Sequence, residues 1–511
     1  MTYLCVPIFV HDLAQAKRDI AAAIEAGAEM IELRIDHLSD PELATDILSN
    51  FAIPFIVTCR PEWEGGEASL PEPQRLDLLR EISKGRDAYI DAELASQYLP
   101  ILSNPERLIV SSHDFKGRPD RLYNLIERMN ATTASINKLA WMARSIRDNI
   151  EAFEILLNRQ KPTIALCMGE AGLLSRVLAK KFGAFLTFAA LTKGSETAPG
   201  QVSIHDMKRL YRWDAIKPDT KVYGVVGSPV AHSMSPAIHN AAFEQIGFNG
   251  VYLPMLVNEG YESFKAFMET MRGFPPLHLC GLSVTIPHKE HALRYLREVG
   301  GQIDPLAERI GALNTIVLDP TGASAFRGFS TDYAAILDSI TAKLNIRRED
   351  LKNYRVAVIG AGGTGRTAVA ALAHYGATVV VYNRTKEKAD ALAIEFNGKT
   401  GHVVSAALDS ICKSCCQIYI NTTSAGMHPN VDATPFGEDP PDIGPDTLVF
   451  DSIYNPMRTK LLDYAESREA KTIGGVEMFV RQAAGQFEAW TGQPAPIELM
   501  RKVVEDRLNP Q

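Results

Sequence analysis

"SINKLAWMA", residues 135–143, sets one lysine, Lys138, inside a run that otherwise suits a buried strand. An ammonium is costly to desolvate, so a lysine there is paired, reaches water, or does chemistry. Which of these holds depends on what else converges on it. Working outward, residues 1–213 alternate strand and helix patterns. The strands read "YLCVPIFV", "MIELRI", "PFIVTCR", "AYIDAEL", "RLIVSSHD", "ASINKLA", "TIALCMG" and "AFLTFAAL". Amphipathic segments such as "LAQAKRDIAAAIEAG" and "ARSIRDNIEAFEILLNR" lie between them. This alternation predicts an α/β fold, either a (β/α)8 barrel or an open doubly wound sheet. The polar residues separate the two. Glu32 and Arg34 close strand two, Arg60 closes strand three, and His113 closes strand five. Lys138 reads as late in strand six, Arg176 follows strand seven, and Gln201 follows strand eight. Barrel sites are built at carboxyl ends of strands, so the barrel is the expectation.

The chain has 511 residues, more than one ordinary core holds, and two or three domains are expected. A net charge of −8 argues against a general nucleic-acid binder. No stretch reads as a membrane span. Met1 is followed almost at once by a strand pattern, leaving no room for a signal or transit peptide. That fits a cytoplasmic protein, or a plastid stromal one whose transit peptide has been removed. The seven cysteines are scattered and suit a reducing compartment. Their one cluster, "CKSCC" at 412–416, has no second ligand pair at zinc spacing, and no metal is expected.

The polar, proline-bearing "RWDAIKPDTK", residues 212–221, reads as a linker. The strand–helix alternation then restarts twice, at "VYGVVGSPVAHSMSPAIHN" and at "YRVAVIGAGGTGRTAVAALAHYG", with a boundary near residue 340. In the second restart Gly360, Gly362 and Gly365 form G-x-G-x-x-G between a strand and an Ala-rich helix, a dinucleotide turn. The next strand ends in Asn383, Arg384 and Thr385 where an NAD-binding fold usually has an acid. An arginine there favours a 2′-phosphate, hence NADP(H).

Lysine, histidine and glutamate from separate strands suit an imine-forming site. A lysine amine beside other cations has a lowered pKa and can attack a ketone. Arg34, Arg60 and Arg176 would depress Lys138 and bind an anionic substrate, His113 would take a proton, and Glu64 is a candidate to orient that imidazole. In the second half, Lys289 and Asp332 each follow a strand and could shuttle a proton to an alkoxide while a nicotinamide moves hydride. Ser233 and Ser235 read either as carboxylate donors or as a helix cap.

"ELRID", "TCRPEWEGG", "SSHDF", "NKLAWM", "MGEAGLLSR" and "TAPGQVS" resemble, in that order, the type I 3-dehydroquinate dehydratases. The resemblance implies Lys138 as the Schiff-base lysine and His113 as general acid/base, oriented by Glu64. Glu32, Arg34 and Arg60 would hold hydroxyls, Arg176 the carboxylate, and Gln201 would sit in a closing loop with Thr197 where many members have serine.

"GSPVAHSMSPAIHN", "SVTIPHKE", "GALNT", "STD", "GAGGTGR", "NRT", "NTTSAGM", "YNPMRT" and "GGVEMFVRQAAGQFEAWTG" resemble the shikimate dehydrogenases. That implies Lys289 and Asp332 as the catalytic pair. Ser233, Ser235 and Tyr454 would contact the carboxylate, and Thr285, Asn314 and Gln482 the ring hydroxyls. The cofactor contacts would be Gly360, Ala361, Gly362, Gly363, Thr364, Gly365, Asn383, Arg384, Thr385, Thr422, Met427 and Gly475.

The whole chain resembles the plant-type bifunctional family, which joins these two activities. The expected order is a TIM barrel at 1–215, an α/β substrate lobe at 221–340, a Rossmann NADP lobe at 341–480, and C-terminal helices at 481–511 that return to the substrate lobe. The substrates would be 3-dehydroquinate, 3-dehydroshikimate and shikimate. A second half that prefers quinate, and a regulatory protein that only senses these ligands, are the rival readings.

Overall fold

The computed structural model describes residues 1–511 except 39–40, 85–86, 97–104, 320–325, 399–400 and 510–511. The chain forms two compact units, Met1–Pro236 with Phe248–Leu279, and Ala237–Gly247 with Cys280–Gln511. Among the described residues no helix is long and apolar enough to cross a membrane.

In the first unit all eight expected barrel strands form: β1 Tyr3–Phe9, β2 Met30–Arg34, β3 Phe55–Thr58, β4 Ala88–Glu93, β5 Leu108–Asp114, β6 Ile136–Met142, β7 Thr163–Met168 and β8 Leu186–Phe188. They pair in parallel in the order β7-β6-β5-β4-β3-β2-β1-β8. Across the remaining seam Phe185 N–H donates to Thr163 O at 2.9 Å. Side chains alternate along a strand, so every second residue faces inward. Cys5, Met30, Ile56, Ile109, Ile136, Ile164 and Leu186 pack as one apolar layer. Two residues further along, the same faces carry Glu32, Thr58, Ser111 and Lys138, and Asp91 follows Tyr89 in the same way. The barrel interior therefore turns from apolar to polar toward the carboxyl ends. Lys138 is the third of seven residues in β6, earlier than the sequence suggested, so it lies in this inner layer rather than at the rim.

The expected linker is not a free spacer. Trp213, Ile216 and Thr220 are buried. Lys181 Nζ donates to Pro218 O (2.6 Å) and Thr220 O (3.0 Å), and Arg212 Nη1 to Gly250 O (2.6 Å). Charge-assisted bonds to main-chain carbonyls hold the segment against the barrel through Lys181 and against Gly250 through Arg212, which its polar composition did not reveal. The same unit contains β9 (Lys221–Gly227) and β10 (Gly250–Leu256), paired in parallel, and Phe274 packs on Phe153 and Phe182. The expected 221–340 lobe is thus shared between the two units.

In the second unit β11 (Leu279–Val284) and β14 (Arg327–Phe329) both run antiparallel to β13 (Thr315–Val317), and β12 (Gln302–Ile303) pairs in parallel with β14. Flanking β13 on either side, β11 and β14 leave the sheet at the same edge. A second sheet comprises β15 Arg355–Ile359, β16 Thr378–Asn383, β17 His402–Ala407, β18 Ile418–Asn421, β19 Leu448–Asp451 and β20 Lys471–Ile473. It is all parallel, in the order β17-β16-β15-β18-β19-β20. That order reverses between β15 and β18, the point where such sheets hold dinucleotides. Ala368, Ala370, Ala371 and Ala373 let the helix Gly363–His374 settle onto it. As expected, "CKSCC" leads into the buried β18, and its cysteines are unbridged.

Candidate active sites

Nine side chains expected from the sequence line one cavity at the carboxyl end of the barrel: Glu32, Arg34, Arg60, Glu64, His113, Lys138, Arg176, Thr197 and Gln201. Lys138 is 5 % exposed, and its Nζ lies 2.6 Å from Asp91 Oδ2 and 3.3 Å from Glu32 Oε1. The Phe188 ring sits 4.7 Å from the same nitrogen. The lysine is therefore paired, and it also faces the cavity.

His113 is held well below its ordinary pKa by burial, with the nearby Arg60 and Lys138 charges adding to the effect. It is a neutral imidazole, and its Nδ1 is buried without a hydrogen-bond partner. Glu64 Oε1 accepts the main-chain N–H of His113 at 2.7 Å, whereas the imidazole Nδ1 is 3.6 Å away. Glu64 thus anchors the backbone of His113 and stands beside its ring. Burial pushes the Glu64 carboxyl up to about 7, against the pull of Arg60.

The three arginines differ in what they have left to offer. Arg34 is committed to Asp36, Nη2 to Oδ2 at 2.5 Å, and lies over the Phe9 ring. Arg60 pairs with Asp91 and Glu93, both at 2.7 Å, and lines the cavity as well. Arg176 is 1 % exposed, its Nη2 donates to Pro199 O at 3.1 Å, and its Nε is buried without a partner. Burial lowers its pKa to about 10. A buried guanidinium that faces a cavity with no carboxylate partner is a ready anion site. Thr197 and Gln201 bond each other across one loop, Nε2 to Oγ1 at 3.1 Å.

The second unit joins the other expected pair. Lys289 opens the helix Lys289–Glu298 after β11, Asp332 lies in the first turn of the helix Thr331–Leu344 after β14, and the shared sheet edge brings them to 2.6 Å. Asn314 is buried and used locally: its Oδ1 accepts Thr331 N–H (2.8 Å) and Thr315 Oγ1 (2.7 Å), and its Nδ2 donates to Thr331 Oγ1 (3.0 Å). It fixes the start of the helix that carries Asp332. Tyr454 is half-buried and stacks on Phe479, while Gln482 Nε2 donates to Phe479 O. Thr285 is half-buried beside β11. Ser233 and Ser235 belong to the first unit, where Ser233 Oγ accepts Ser235 N–H at the start of the helix Ser235–Gln245, a turn role.

The glycine loop after β15 fits a dinucleotide. Gly360 has φ +110°, and a Cβ there would strike Thr422 Oγ1 at 2.5 Å; one at Gly365 would strike Gly360 O at 2.0 Å. These two make the tight turn. Gly362 and Gly363 face open space, and a cleft of ≈ 1280 Å³ bounded by Gly360, Gly362, Asn383, Arg384 and Thr422 lies before them. Helix amides there suit a pyrophosphate. Asn383 Oδ1 accepts Ala361 N–H (3.1 Å), locking the loop to the next strand. Thr364 lies in the first turn of the following helix, Thr385 immediately precedes the helix Lys386–Phe396, and Met427 is 44 % exposed. Gly475 packs against the Ile453 backbone, where a Cβ would come within 2.4 Å, so packing alone demands this glycine.

Family models match in chain order: type I 3-dehydroquinase over residues 4–218, the shikimate dehydrogenase substrate-binding domain over 225–316, shikimate/quinate 5-dehydrogenase over 342–428, and the shikimate 5′-dehydrogenase C-terminal domain over 475–505. The bifunctional 3-dehydroquinate dehydratase/shikimate dehydrogenase of Arabidopsis thaliana, a chloroplastic protein, is 39 % identical across 98 % of this chain and 84 % of its own length. The chain belongs to the bifunctional 3-dehydroquinate dehydratase/shikimate dehydrogenases. The NADP(+) shikimate dehydrogenase of Methanosarcina barkeri is 39 % identical over 56 % of this chain and 99 % of its own. A shikimate dehydrogenase crystallised with NADP+ shares 35 % identity over 57 % of this chain and 98 % of its own, with a TM-score of 0.50.

Two residues of the dehydratase half escaped the sequence reading. Asp91 and Glu93 sit within "AYIDAEL", which reads as an ordinary strand, yet both are fully buried in the charge cluster around Lys138. The signal was available: acids two apart in an apolar strand share its inner face. Burial alone would protonate Asp91, but Arg60 and Lys138 outweigh that effect and hold it well below the carboxylate range.

Proposed function

We propose that this chain catalyses two consecutive steps of the shikimate pathway: dehydration of 3-dehydroquinate to 3-dehydroshikimate, then reduction of that ketone to shikimate with NADPH. In the first, Lys138 attacks the substrate ketone and forms an imine, which acts as an electron sink. Neutral His113 takes the adjacent C2 proton and returns a proton to the departing hydroxyl as water leaves. Arg176 binds the carboxylate, Glu32 and Arg34 face the ring hydroxyls, and Gln201 with Thr197 closes the mouth. Hydrolysis frees Lys138 and the product.

In the second step NADPH supplies a hydride to the ketone carbon. Lys289 and Asp332 deliver the proton to the oxygen that becomes the hydroxyl. Tyr454, Thr285 and Gln482 contact the substrate, and Arg384 at the cleft edge meets the 2′-phosphate. We assign the dehydratase to residues 1–215 and the dehydrogenase lobes to 221–340 and 341–480, with the 481–511 helices returning to the former. The family matches, over 4–218, 225–316, 342–428 and 475–505, support this order of domains, while the helix Gly475–Thr491 runs across the 480/481 boundary. The working compartment we infer is the cytoplasm, or the plastid stroma after the chloroplastic relative.

The observation that carries this reading is the convergence of Lys138, paired with Asp91, with His113 and the buried Arg176 on one cavity. The test is a single-vessel assay with 3-dehydroquinate and NADPH. Shikimate should accumulate, with one NADPH consumed for each molecule formed. Dehydroquinate consumption without a trappable imine would reject the barrel mechanism.

A further inference from the structure

The helix Glu72–Ser83 covers the outside of the barrel, yet one of its arginines reaches inward. Arg75 is 1 % exposed; its Nη1 donates to Cys59 O and its Nη2 to Glu93 Oε2, both at 2.6 Å. Glu93 passes its other oxygen to Arg60 Nη1 (2.7 Å). Arg60 Nη2 meets Asp91 Oδ1 (2.7 Å), and Asp91 Oδ2 meets Lys138 Nζ (2.6 Å). Glu32 closes the series at 3.3 Å. The signs alternate from the outer helix to the reactive nitrogen.

We propose that Arg75 is a positioning residue of the dehydratase site, acting through Glu93, Arg60 and Asp91 on the proton of Lys138. This rests on the reading of Lys138 as the imine-forming lysine. Arg75, Arg60 and Lys138 balance Glu93, Asp91 and Glu32, so the series is neutral with Lys138 as an ammonium. Removing Arg75 leaves one uncompensated negative charge in a dry interior, where charges are weakly screened. That charge favours the ammonium, whereas attack on a ketone needs the free amine. It also lets Glu93 compete for Arg60, loosening the pin on Asp91.

The groups facing Lys138 from each neighbouring element are consistent with this direction. β1 brings Cys5, β2 Glu32 and Arg34, the end of β3 Arg60 and then Glu64, β4 Asp91 and Glu93, and β5 His113. The loop after β7 brings Arg176, and β8 only the Phe188 ring. Among the described residues, Arg75 is the cation paired with Glu93 Oε2.

The experiment uses the full chain and measures imine formation, by rapid mixing with substrate and borohydride quench over a range of pH. In Arg75→Met the profile should move to higher pH by about one unit, the scale of one buried charge. Glu93→Gln removes a negative charge and should move it to lower pH. Arg75→Lys should recover most of the wild-type profile. Arg80→Met, on the exposed side of the same helix, should leave it unchanged. Near-ultraviolet circular dichroism of buried Trp141 and Trp213 reports barrel folding, and if Arg75→Met does not fold, Glu93→Gln decides. Opposite shifts support the proposal; no shift, or shifts of one sign, in folded variants overturn it. An adduct on another lysine in the unmutated chain would instead remove the parent reading, before any variant is made.

Discussion

Lys289 Nζ lies 2.6 Å from Asp332 Oδ2, with the lysine 33 % and the aspartate 14 % exposed. The pair is open enough to reach a substrate and close enough to share a proton. Lys289→Ala and Asp332→Asn should each lower the reductase kcat by about 10²–10⁴-fold, the usual worth of a general acid/base. Because the two act as a unit, the double variant should lose little more than either single one. Dehydratase activity, measured separately on the same proteins, should stay at the wild-type level.

Lys138→Ala should abolish dehydration and leave reduction intact. Borohydride with 3-dehydroquinate should leave an adduct on Lys138, identified by peptide mass. His113→Ala should slow turnover by about 10²–10⁴-fold while still permitting the adduct. A His113 variant that cannot be trapped would put the histidine before the imine rather than after it.

Glu64 titrates near 7, while His113 is held well below that value. As pH rises through about 7 the Glu64 carboxyl ionises, and the negative charge then makes His113 a stronger base. The dehydratase kcat should therefore rise with pH through that range, and in Glu64→Gln this rise should disappear. Its survival in the Gln variant would assign the ionisation to another group.

Arg384 stands exposed on the edge of the dinucleotide cleft. Arg384→Ala should raise the KM for NADPH by about 10- to 100-fold, the loss expected for a charge-assisted contact to phosphate. The KM for NADH should barely change. Equal losses with both cofactors would point to a damaged loop instead.

Cutting the chain at residue 217 should weaken the barrel half. It removes the Pro218 and Thr220 carbonyls that hold buried Lys181, and the Phe274 ring that packs on Phe182. The 1–217 fragment should melt roughly 4–8 °C below the barrel in the intact chain, as a loss of about 2 kcal/mol implies at this size. Thermal unfolding by circular dichroism checks this, and equal melting temperatures would restore the segment to a passive linker.

The eight barrel strands, the glycine turn, and nine side chains that line the barrel cavity were legible in the sequence, because each rests on a local regularity. Strand alternation decides which side chains face inward, and a strand's end decides which of those reach the rim. Lys289 and Asp332 were legible for the same reason, each following a strand. What local pattern does not carry is which charge meets which. Lys138 pairs with Asp91 across 47 residues and with Glu32 across 106. Arg75 looks in the sequence like a solvent-facing helix residue, and Arg60 like a substrate ligand. Only the closed barrel places them within hydrogen-bond distance of Glu93, in an interior where an unpaired charge is too costly to leave. The sequence by itself determined the barrel, the dinucleotide-binding sheet and the chemistry each can hold. The tertiary structure decided which of the buried charges balance one another, because that depends on distance and dielectric.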